Sequence, residues 1–176
     1  MIQLHDLKFV PFISEERITA SIDKISEEIN RDYKDKTPIF LVILNGAFMF
    51  ASEIIKRFKG NCEVAFVKLG SYEGTSTTGK VETMMGLNLS LEGRSVILIE
   101  DIVDTGNTLE KLDEILKDKG VADYRIASLF FKPEAYQKKY PVDYVGMEIS
   151  NDFIVGYGLD YDGLGRNLVQ IYKLKK

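Results

Sequence analysis

Cysteine and histidine are almost absent from this chain of 176 residues, which contains one of each, Cys62 and His5. A single cysteine cannot form a disulfide within the chain, and this fits a reducing compartment. A single histidine leaves almost no material for a histidine-cluster metal site or a Ser-His-Asp triad. The apolar neighbours of Cys62 predict a core position for it, whereas the polar surroundings of His5 predict a surface position.

Long apolar runs and an excess of positive charge are also missing. No apolar run approaches the ~20 residues of a membrane span, and the first residues are not followed by the apolar core of a signal peptide. The net charge of −4 provides no broad basic surface for nucleic acid. We therefore expect a cytoplasmic protein with no membrane or nucleic-acid partner, although small phosphorylated substrates could still bind locally.

Patterns of buried strand and amphipathic helix alternate along most of the chain. Strands are predicted at residues 39–44, 62–69 and 124–131, and a further strand starts at residue 96. Helices are predicted after Ser14, after residue 47 with Gly60 at its end, before Gly120, and from Pro133 to residue 139. Alternation of this kind predicts an α/β fold with a doubly wound parallel sheet flanked by helices.

The length of 176 residues predicts a single domain, residues 1–176. We expect its core at about residues 14–140 and a small hood lobe made from residues 1–13 and 141–176. Residues 70–86 interrupt the pattern with a long polar, glycine-containing segment. A segment of this length is either a functional lid or a disordered loop, and a nearby phosphate site would favour the lid.

The stretch that organises the sequence follows the apolar run that starts at Val96. It changes character at Glu100-Asp101, and the turn of residues 104–108 then leads into a helical pattern. Asp104, Thr105 and Thr108 are good helix-capping residues, and Gly106 allows close approach of a ligand to the backbone. Because a helix N-terminus attracts anions, the turn can hold a phosphate. The two carboxylates beside it would need Mg²⁺ or ribose hydroxyls as partners.

Polar side chains also stand at the predicted ends of the other strands. Asn45-Gly46 follows one strand, the polar segment follows the next, and Lys132 follows the strand that ends at residue 131. Each has an ordinary explanation as a turn or a solvated side chain. In an open parallel sheet, however, ligands bind beyond the carboxyl ends of the strands, and these groups would meet there. Their coincidence at one edge favours a binding site.

The string Glu100-Asp101-Ile102-Val103-Asp104-Thr105-Gly106-Asn107-Thr108 resembles the 5-phosphoribosyl pyrophosphate (PRPP) signature of type I phosphoribosyltransferases. Along nearly its whole length the chain is similar to the hypoxanthine-guanine type of this family. The supporting segments are residues 44–50, 71–72, 129–133, 145–149 and 153–161. The resemblance implies a type I phosphoribosyltransferase fold and a purine salvage enzyme. Such an enzyme transfers the phosphoribosyl group of PRPP to hypoxanthine or guanine, forming IMP or GMP and releasing pyrophosphate.

The same resemblance implies a role for each site residue. Asp104, Thr105, Gly106, Asn107 and Thr108 would hold the 5′-phosphate, with Asp104 also an acid or base near purine N7. Glu100 and Asp101 would contact the ribose hydroxyls and a Mg²⁺, and these three acids form the catalytic group. Asp160 would bind a second Mg²⁺, while Asn45, Gly46 and Arg166 would bind pyrophosphate. Lys132, Phe153, Ile154 and Asp160 would contact the purine, and Ser71-Tyr72 would belong to the lid. A homodimer or homotetramer is the implied assembly.

One position departs from the family pattern. Many relatives have Lys-Gly where this chain has Asn45-Gly46, so a side-chain cation for pyrophosphate is missing, although backbone N–H groups could still bind there. The family often has a non-proline cis peptide at this point, here Leu44–Asn45.

Two other functions stay open at the level of sequence. The first is a transferase of the same fold for xanthine or a pyrimidine. The second is a regulatory protein that keeps the fold and binds nucleotide or RNA. The acidic net charge argues against RNA, and the retention of Glu100, Asp101, Asp104 and Asp160 together argues against an inactive relative.

Overall fold

The computed structural model describes residues 1–69 and 89–175, and it contains a parallel sheet of five strands. These strands are β3 (Ile39–Leu44), β4 (Glu63–Lys68), β5 (Ser95–Val103), β6 (Asp123–Phe131) and β7 (Tyr144–Glu148). Their order in the sheet is β4-β3-β5-β6-β7, and all four neighbouring pairs are parallel. The predicted parallel α/β sheet is therefore confirmed.

Helices cover both faces of this sheet. Helices α1 (Glu15–Asp32) and α2 (Phe48–Arg57) pack on one face, and α3 (Asn107–Asp118) packs on the other. Alternate residues of the central strands serve the two layers: Phe40 and Val42 face α1 and α2, whereas Ile39 and Leu41 face α3. Burial on both faces explains why these strands are continuous apolar runs. From β3 the chain first adds β4 on one side, and then returns to add β5 on the other side. The strand order therefore reverses between β3 and β5, and a ligand is expected at the carboxyl ends of these two strands.

A second, antiparallel sheet forms the hood. It consists of β1 (Ile2–Leu4), β2 (Leu7–Ile13), β8 (Ile154–Val155) and β9 (Ile171–Leu174), in the order β1-β2-β9-β8. Residues 1–13 are therefore a hairpin joined to the last strand. The predicted hood boundary at residue 141 is wrong, because β7 pairs with β6 and completes the parallel sheet.

Two local predictions are also wrong. The expected helix from Pro133 to residue 139 is only a turn, because Gln137 N donates to Thr105 O and draws the chain toward α3. Gly60 does not end α2, since the helix ends at Arg57 and Phe58 is its C-cap. The helix predicted after Ser14 is confirmed, since Ser14 occupies the N-cap position of α1, although its side chain makes no capping hydrogen bond. The predicted lid dipeptide Ser71-Tyr72 lies outside the described residues, and so does all of the segment 70–86.

Candidate active site

The two adjacent carboxylates lie within β5 rather than after it. Glu100 is in register with Ser128 of β6, and the pairing continues to Val103, so the strand does not end where the apolar run ends. This extension fixes both carboxylates on a central strand, just before the turn of residues 104–108. The polar character at Glu100 therefore marks the approach to the ligand edge of the sheet and not the end of the strand.

The turn of residues 104–108 places a helix N-terminus beside the carboxylates. Gly106 is the N-cap of α3 with φ of 83°, a left-handed conformation that favours glycine, and Glu110 N donates to Gly106 O at 3.1 Å. The prediction that Asp104, Thr105 or Thr108 caps the helix is wrong, since the N-cap is Gly106 and the described part of the chain provides no side-chain capping bond there. Those donors stay available for an anion. Residues 102–109, together with Glu100, line a cavity of about 80 Å³ at this point.

Glu100 is a buried acid at the end of the apolar run. Its Oε2 atom has no hydrogen-bond partner in the described parts of the chain, and only 8% of the residue is exposed. Burial, with a smaller contribution from the charge of Asp101, raises the pKa of Glu100 well above its usual value. Burial also raises the pKa of Asp101 to about 6, although Ile102 N donates to its Oδ1 at 2.9 Å. A pair of adjacent acids, one buried and one partly buried, is costly unless a cation or hydroxyl donors bind it.

The loop after β3 lies directly against Asp101. A Cβ atom on Gly46 would lie 1.5 Å from Asp101 Oδ2, so only glycine permits this contact. A Cβ on Gly158 would lie 2.0 Å from Gly46 O, which means that the backbone of the hood meets the same loop. The Leu44–Asn45 peptide bond is cis, as expected, and Asn45 is exposed. Loop, strand end and hood thus converge on one carboxylate.

Lys132 is paired with Asp104, the acid of the turn at residues 104–108. Its Nζ lies 3.0 Å from Asp104 Oδ2, and the backbone N–H of Lys132 donates to Val103 O at 2.9 Å. The side chain of Lys132 is 10% exposed, whereas that of Asp104 is 47% exposed. The ammonium is therefore held in a desolvated position next to a carboxylate that a ligand can reach.

Asp160 and Arg166 form a second charged pair near Asp101. Arg166 Nη2 lies 2.7 Å from Asp160 Oδ1, and Arg166 Nη1 donates to Gly158 O at 2.7 Å. Among the smaller influences on Asp101, the charge of Arg166 lowers its pKa and that of Asp160 raises it. Asp160 and Arg166, the two charged site residues predicted from the hood, therefore both affect the pKa of Asp101, the carboxylate that Gly46 contacts.

Phe153 and Ile154 present a ring and an open strand edge. The Phe153 side chain is 43% exposed, and its ring is held by Tyr161 at 5.9 Å and Phe9 at 6.1 Å between centroids. Leu174 N donates to Phe153 O, and Ile154 is in register with Lys173. In that antiparallel pattern the N–H and C=O groups of Ile154 point away from β9, toward the outer edge of the sheet.

These carboxylates fit a Mg²⁺ that shares its ligands with a substrate. No group of three or more acid, histidine or cysteine side chains in residues 1–69 and 89–175 is arranged to hold a metal ion alone. Mg²⁺ is usually bound through one or two carboxylates plus substrate oxygens, and the orphaned Oε2 of Glu100 supplies a ligand of this type. The donor set therefore suits a metal that arrives with its substrate.

The buried state of Asp101 leads to a prediction about stability in the metal-free protein. The folded-state pKa of about 6 exceeds the usual aspartate value of 3.8, so the folded state binds the proton more tightly than the unfolded state. Stability should fall as the pH rises from about 4 to about 6, by up to about 3 kcal/mol. Asp101→Asn should remove this loss and be the more stable protein at pH 8. Urea unfolding of both proteins in EDTA, from about pH 4 to about pH 8, measures this change in the free energy of unfolding.

The exposed Asp35 provides a control for that measurement, because Asp35→Asn removes an acid that is not buried. Asp35→Asn should unfold with the wild-type pH dependence. An unchanged pH dependence in Asp101→Asn would contradict a raised pKa at Asp101.

Several contacts in the site could not be read from the sequence. The close approach of Gly158 to Gly46 joins residues more than a hundred positions apart, and the support of Phe153 by Tyr161 depends on the hood. The hydroxyl of Tyr161 in turn donates to Asp6 in the first hairpin, at 2.8 Å. The sequence signal for these contacts was limited to the presence of glycine and aromatic residues, such as Phe153, Gly158 and Tyr161, in one segment.

No helix in the described residues is long and apolar enough to cross a membrane.

A family model described as "Phosphoribosyl transferase domain" matches residues 14–162. The chain is 40% identical over 171 residues to a hypoxanthine-guanine phosphoribosyltransferase of Staphylococcus epidermidis, which covers 97% of this chain and 95% of the relative. It is 38% identical over 164 residues to the enzyme of the same name from Streptococcus pyogenes serotype M3. That alignment covers 93% of this chain and 91% of the relative.

Solved structures agree with the sequence relatives. A hypoxanthine phosphoribosyltransferase from Staphylococcus aureus superposes with a TM-score of 0.86 at 37% identity, covering 97% of this chain and 92% of that chain. A hypoxanthine-guanine phosphoribosyltransferase from Bacillus anthracis, solved with a HEPES molecule in its active site, has a TM-score of 0.86 at 31% identity, with 97% and 98% covered.

Proposed function

This chain belongs to the phosphoribosyl transferase family, and we propose that it transfers the 5-phosphoribosyl group of PRPP to hypoxanthine or guanine. The products are IMP or GMP and pyrophosphate. The observation that carries this proposal is the buried Glu100 carboxylate, whose Oε2 has no hydrogen-bond partner within residues 1–69 and 89–175, beside Asp101 and the N-terminus of α3. That arrangement suits a ligand that combines a phosphate, ribose hydroxyls and a divalent cation.

The phosphoribosyl group is held at the carboxyl end of β5. Backbone N–H groups of residues 105–108 bind the 5′-phosphate at the helix N-terminus, where the peptide dipoles favour an anion. Glu100 and Asp101 accept hydrogen bonds from the ribose hydroxyls, and their carboxylates would hold a Mg²⁺. When bound, Mg²⁺ neutralises charge on the substrate oxygens.

The purine lies between the turn and the hood. Phe153 stacks on it, and the outward N–H and C=O groups of Ile154 contact its Watson–Crick edge. Lys132 donates to the 6-oxo group, which draws its ammonium away from Asp104. Asp104 is then free to accept the N7 proton as N9 bonds to C1′ and the bond from C1′ to pyrophosphate breaks.

Departing pyrophosphate meets the loop after β3 and the hood. Gly46 and Asn45 offer backbone groups, and Arg166 offers a guanidinium whose position is set by Asp160 and by Gly158 O. Asp160 is the candidate ligand of a second Mg²⁺. Preorganised charges of this kind stabilise the negative charge that develops on the leaving group.

A steady-state assay with PRPP, Mg²⁺ and a panel of bases tests this function. Hypoxanthine and guanine should be converted, xanthine poorly, adenine and uracil hardly at all, and excess EDTA should abolish transfer. Efficient use of xanthine or uracil would support the alternative transferases of the same fold. Absence of transfer with every base, despite nucleotide binding, would support the regulatory alternative.

Asn45 leads to a prediction about the PRPP site. Asn45 is exposed, and we assign pyrophosphate binding at this loop to the backbone, so Asn45→Ala should change the Michaelis constant for PRPP only modestly. Asn45→Lys should lower that constant by adding a charge-assisted contact. A loss of more than about a hundredfold in Asn45→Ala, ~2.7 kcal/mol, would mean that the side chain carries the binding.

Other features of the protein stay predictions. They are a homodimer or homotetramer, a cytoplasmic location, a single domain over residues 1–176, no nucleic-acid or membrane partner, and a lid that includes Ser71-Tyr72. Each is independent of the assay described above.

A further inference from the structure

A lysine outside the predicted site residues, Lys138, lies against the phosphate-binding turn. A Cβ atom on Gly106 would lie 2.7 Å from Lys138 Cγ, so the lysine stem packs where the glycine lacks a side chain. The neighbouring Gln137 N donates to Thr105 O at 3.4 Å. Lys138 Nζ continues to Glu110 Oε2 at 2.7 Å, and 22% of the Lys138 side chain is exposed. Lys138 therefore joins the turn to the first turn of α3.

Glu110 is an acid in an unfavourable place for phosphate binding. Its N–H donates to Gly106 O, so it lies one helical turn from the N-cap, and helical side chains lean toward the N-terminus of their helix. Its carboxylate consequently leans toward the anion site. Residues 104–108 themselves contain one acid and no basic residue. A phosphate dianion at this turn would be repelled by Glu110 unless a cation neutralised that carboxylate.

We propose that Lys138 is a positioning residue for the 5′-phosphate, because it neutralises Glu110 and packs its stem against Gly106. This inference rests on the proposed function, since it assumes a 5′-phosphate at the turn. Lys132 is engaged with Asp104, whereas Lys138, among the described residues, is a lysine placed to serve the phosphate half of the site. It acts through Glu110 and the turn, not by contact with the reacting atoms.

The test compares Lys138→Ala with Lys139→Ala, which removes the same charge from an exposed neighbour. Calorimetry with ribose 5-phosphate, which needs no transfer activity, should show binding about threefold to tenfold weaker in Lys138→Ala and unchanged in Lys139→Ala. The Michaelis constant for PRPP should rise by the same factor, with little change in kcat or in the constant for hypoxanthine. Lys138→Arg should bind ribose 5-phosphate as the wild type does.

The double variant Lys138→Ala/Glu110→Gln separates neutralisation from direct contact. Binding of ribose 5-phosphate should return to near the wild-type affinity, because the uncompensated acid is gone. Failure of the double variant to recover, or equal binding by Lys138→Ala and Lys139→Ala, would overturn the proposal. A lower melting temperature in Lys138→Ala with unchanged binding would also overturn it, since that result indicates a structural role alone. Absence of transfer in the wild type would instead refute the proposed function.

Discussion

Replacing Gly46 by alanine should reduce kcat/KM by about a hundredfold or more, since misplacement of a catalytic group by ~1 Å can have an effect of this size. The added methyl group would lie 1.5 Å from Asp101 Oδ2, so the carboxylate or the loop has to move. Gly46 does not have a positive φ, which makes the expected effect steric. Moving Asp101 disturbs the acid pair, and moving the loop disturbs its contact with the hood.

Gly60→Ala provides the matched control for this substitution. Gly60 also lacks a positive φ, and its added Cβ would lie 3.1 Å from the edge of the Phe58 ring, before β4 and at the other end of the sheet. Steady-state kinetics and thermal unfolding should be measured for both variants. We expect Gly60→Ala to keep nearly wild-type kinetics. A kcat/KM within tenfold of wild type for folded Gly46→Ala would show that the contact with Asp101 does not position the site.

The second large effect concerns the choice of base. Lys132→Met should lower kcat/KM for hypoxanthine by about a hundredfold or more, because the 6-oxo group would lose a charged donor in a desolvated pocket. An ammonium has donors only, so it matches a carbonyl at position 6 and mismatches the amino group of adenine. The Asp104 carboxylate is 47% exposed, so water can replace its lost partner, and the Michaelis constant for PRPP should change little.

Hypoxanthine, guanine and adenine kinetics on wild type, Lys132→Met and Lys139→Met measure this prediction. Lys139 is exposed on the same segment and serves as the matched control. Equal use of adenine and hypoxanthine by the wild type would refute the base-reading role of Lys132. Intact hypoxanthine transfer by Lys132→Met would refute it as well.

The parallel sheet and its ligand edge could be predicted because they depend on local patterns. Apolar runs such as residues 39–44 are buried on both faces of a parallel sheet, and the acids that end such a run mark its open edge. The string of residues 100–108 is specific enough to identify the family. Asp104 and Lys132 could be assigned to one site because both follow neighbouring strands, and the structure brings them to 3.0 Å.

The errors have a common physical origin in contacts between distant segments. A turn replaced the helix predicted at Pro133 because Gln137 bonds to Thr105, and β7 joined the main sheet because β6 offered a free edge. At Gly106, the N-cap of α3, Tyr136 and Lys138 pack where a side chain would otherwise lie. Local propensity contains no information about such partners.

By itself the sequence determined the fold class, the family, and the turn of residues 104–108 with the acids beside it, because periodicity and short motifs are local properties. Only the tertiary structure decided which groups lack partners and which touch. It buries Glu100 without a hydrogen-bond partner among the described residues, sets Gly46 against Asp101, and pairs Lys138 with Glu110. The reason is that burial and contact depend on how separate elements pack, and the charge state and reach of a side chain follow from that packing.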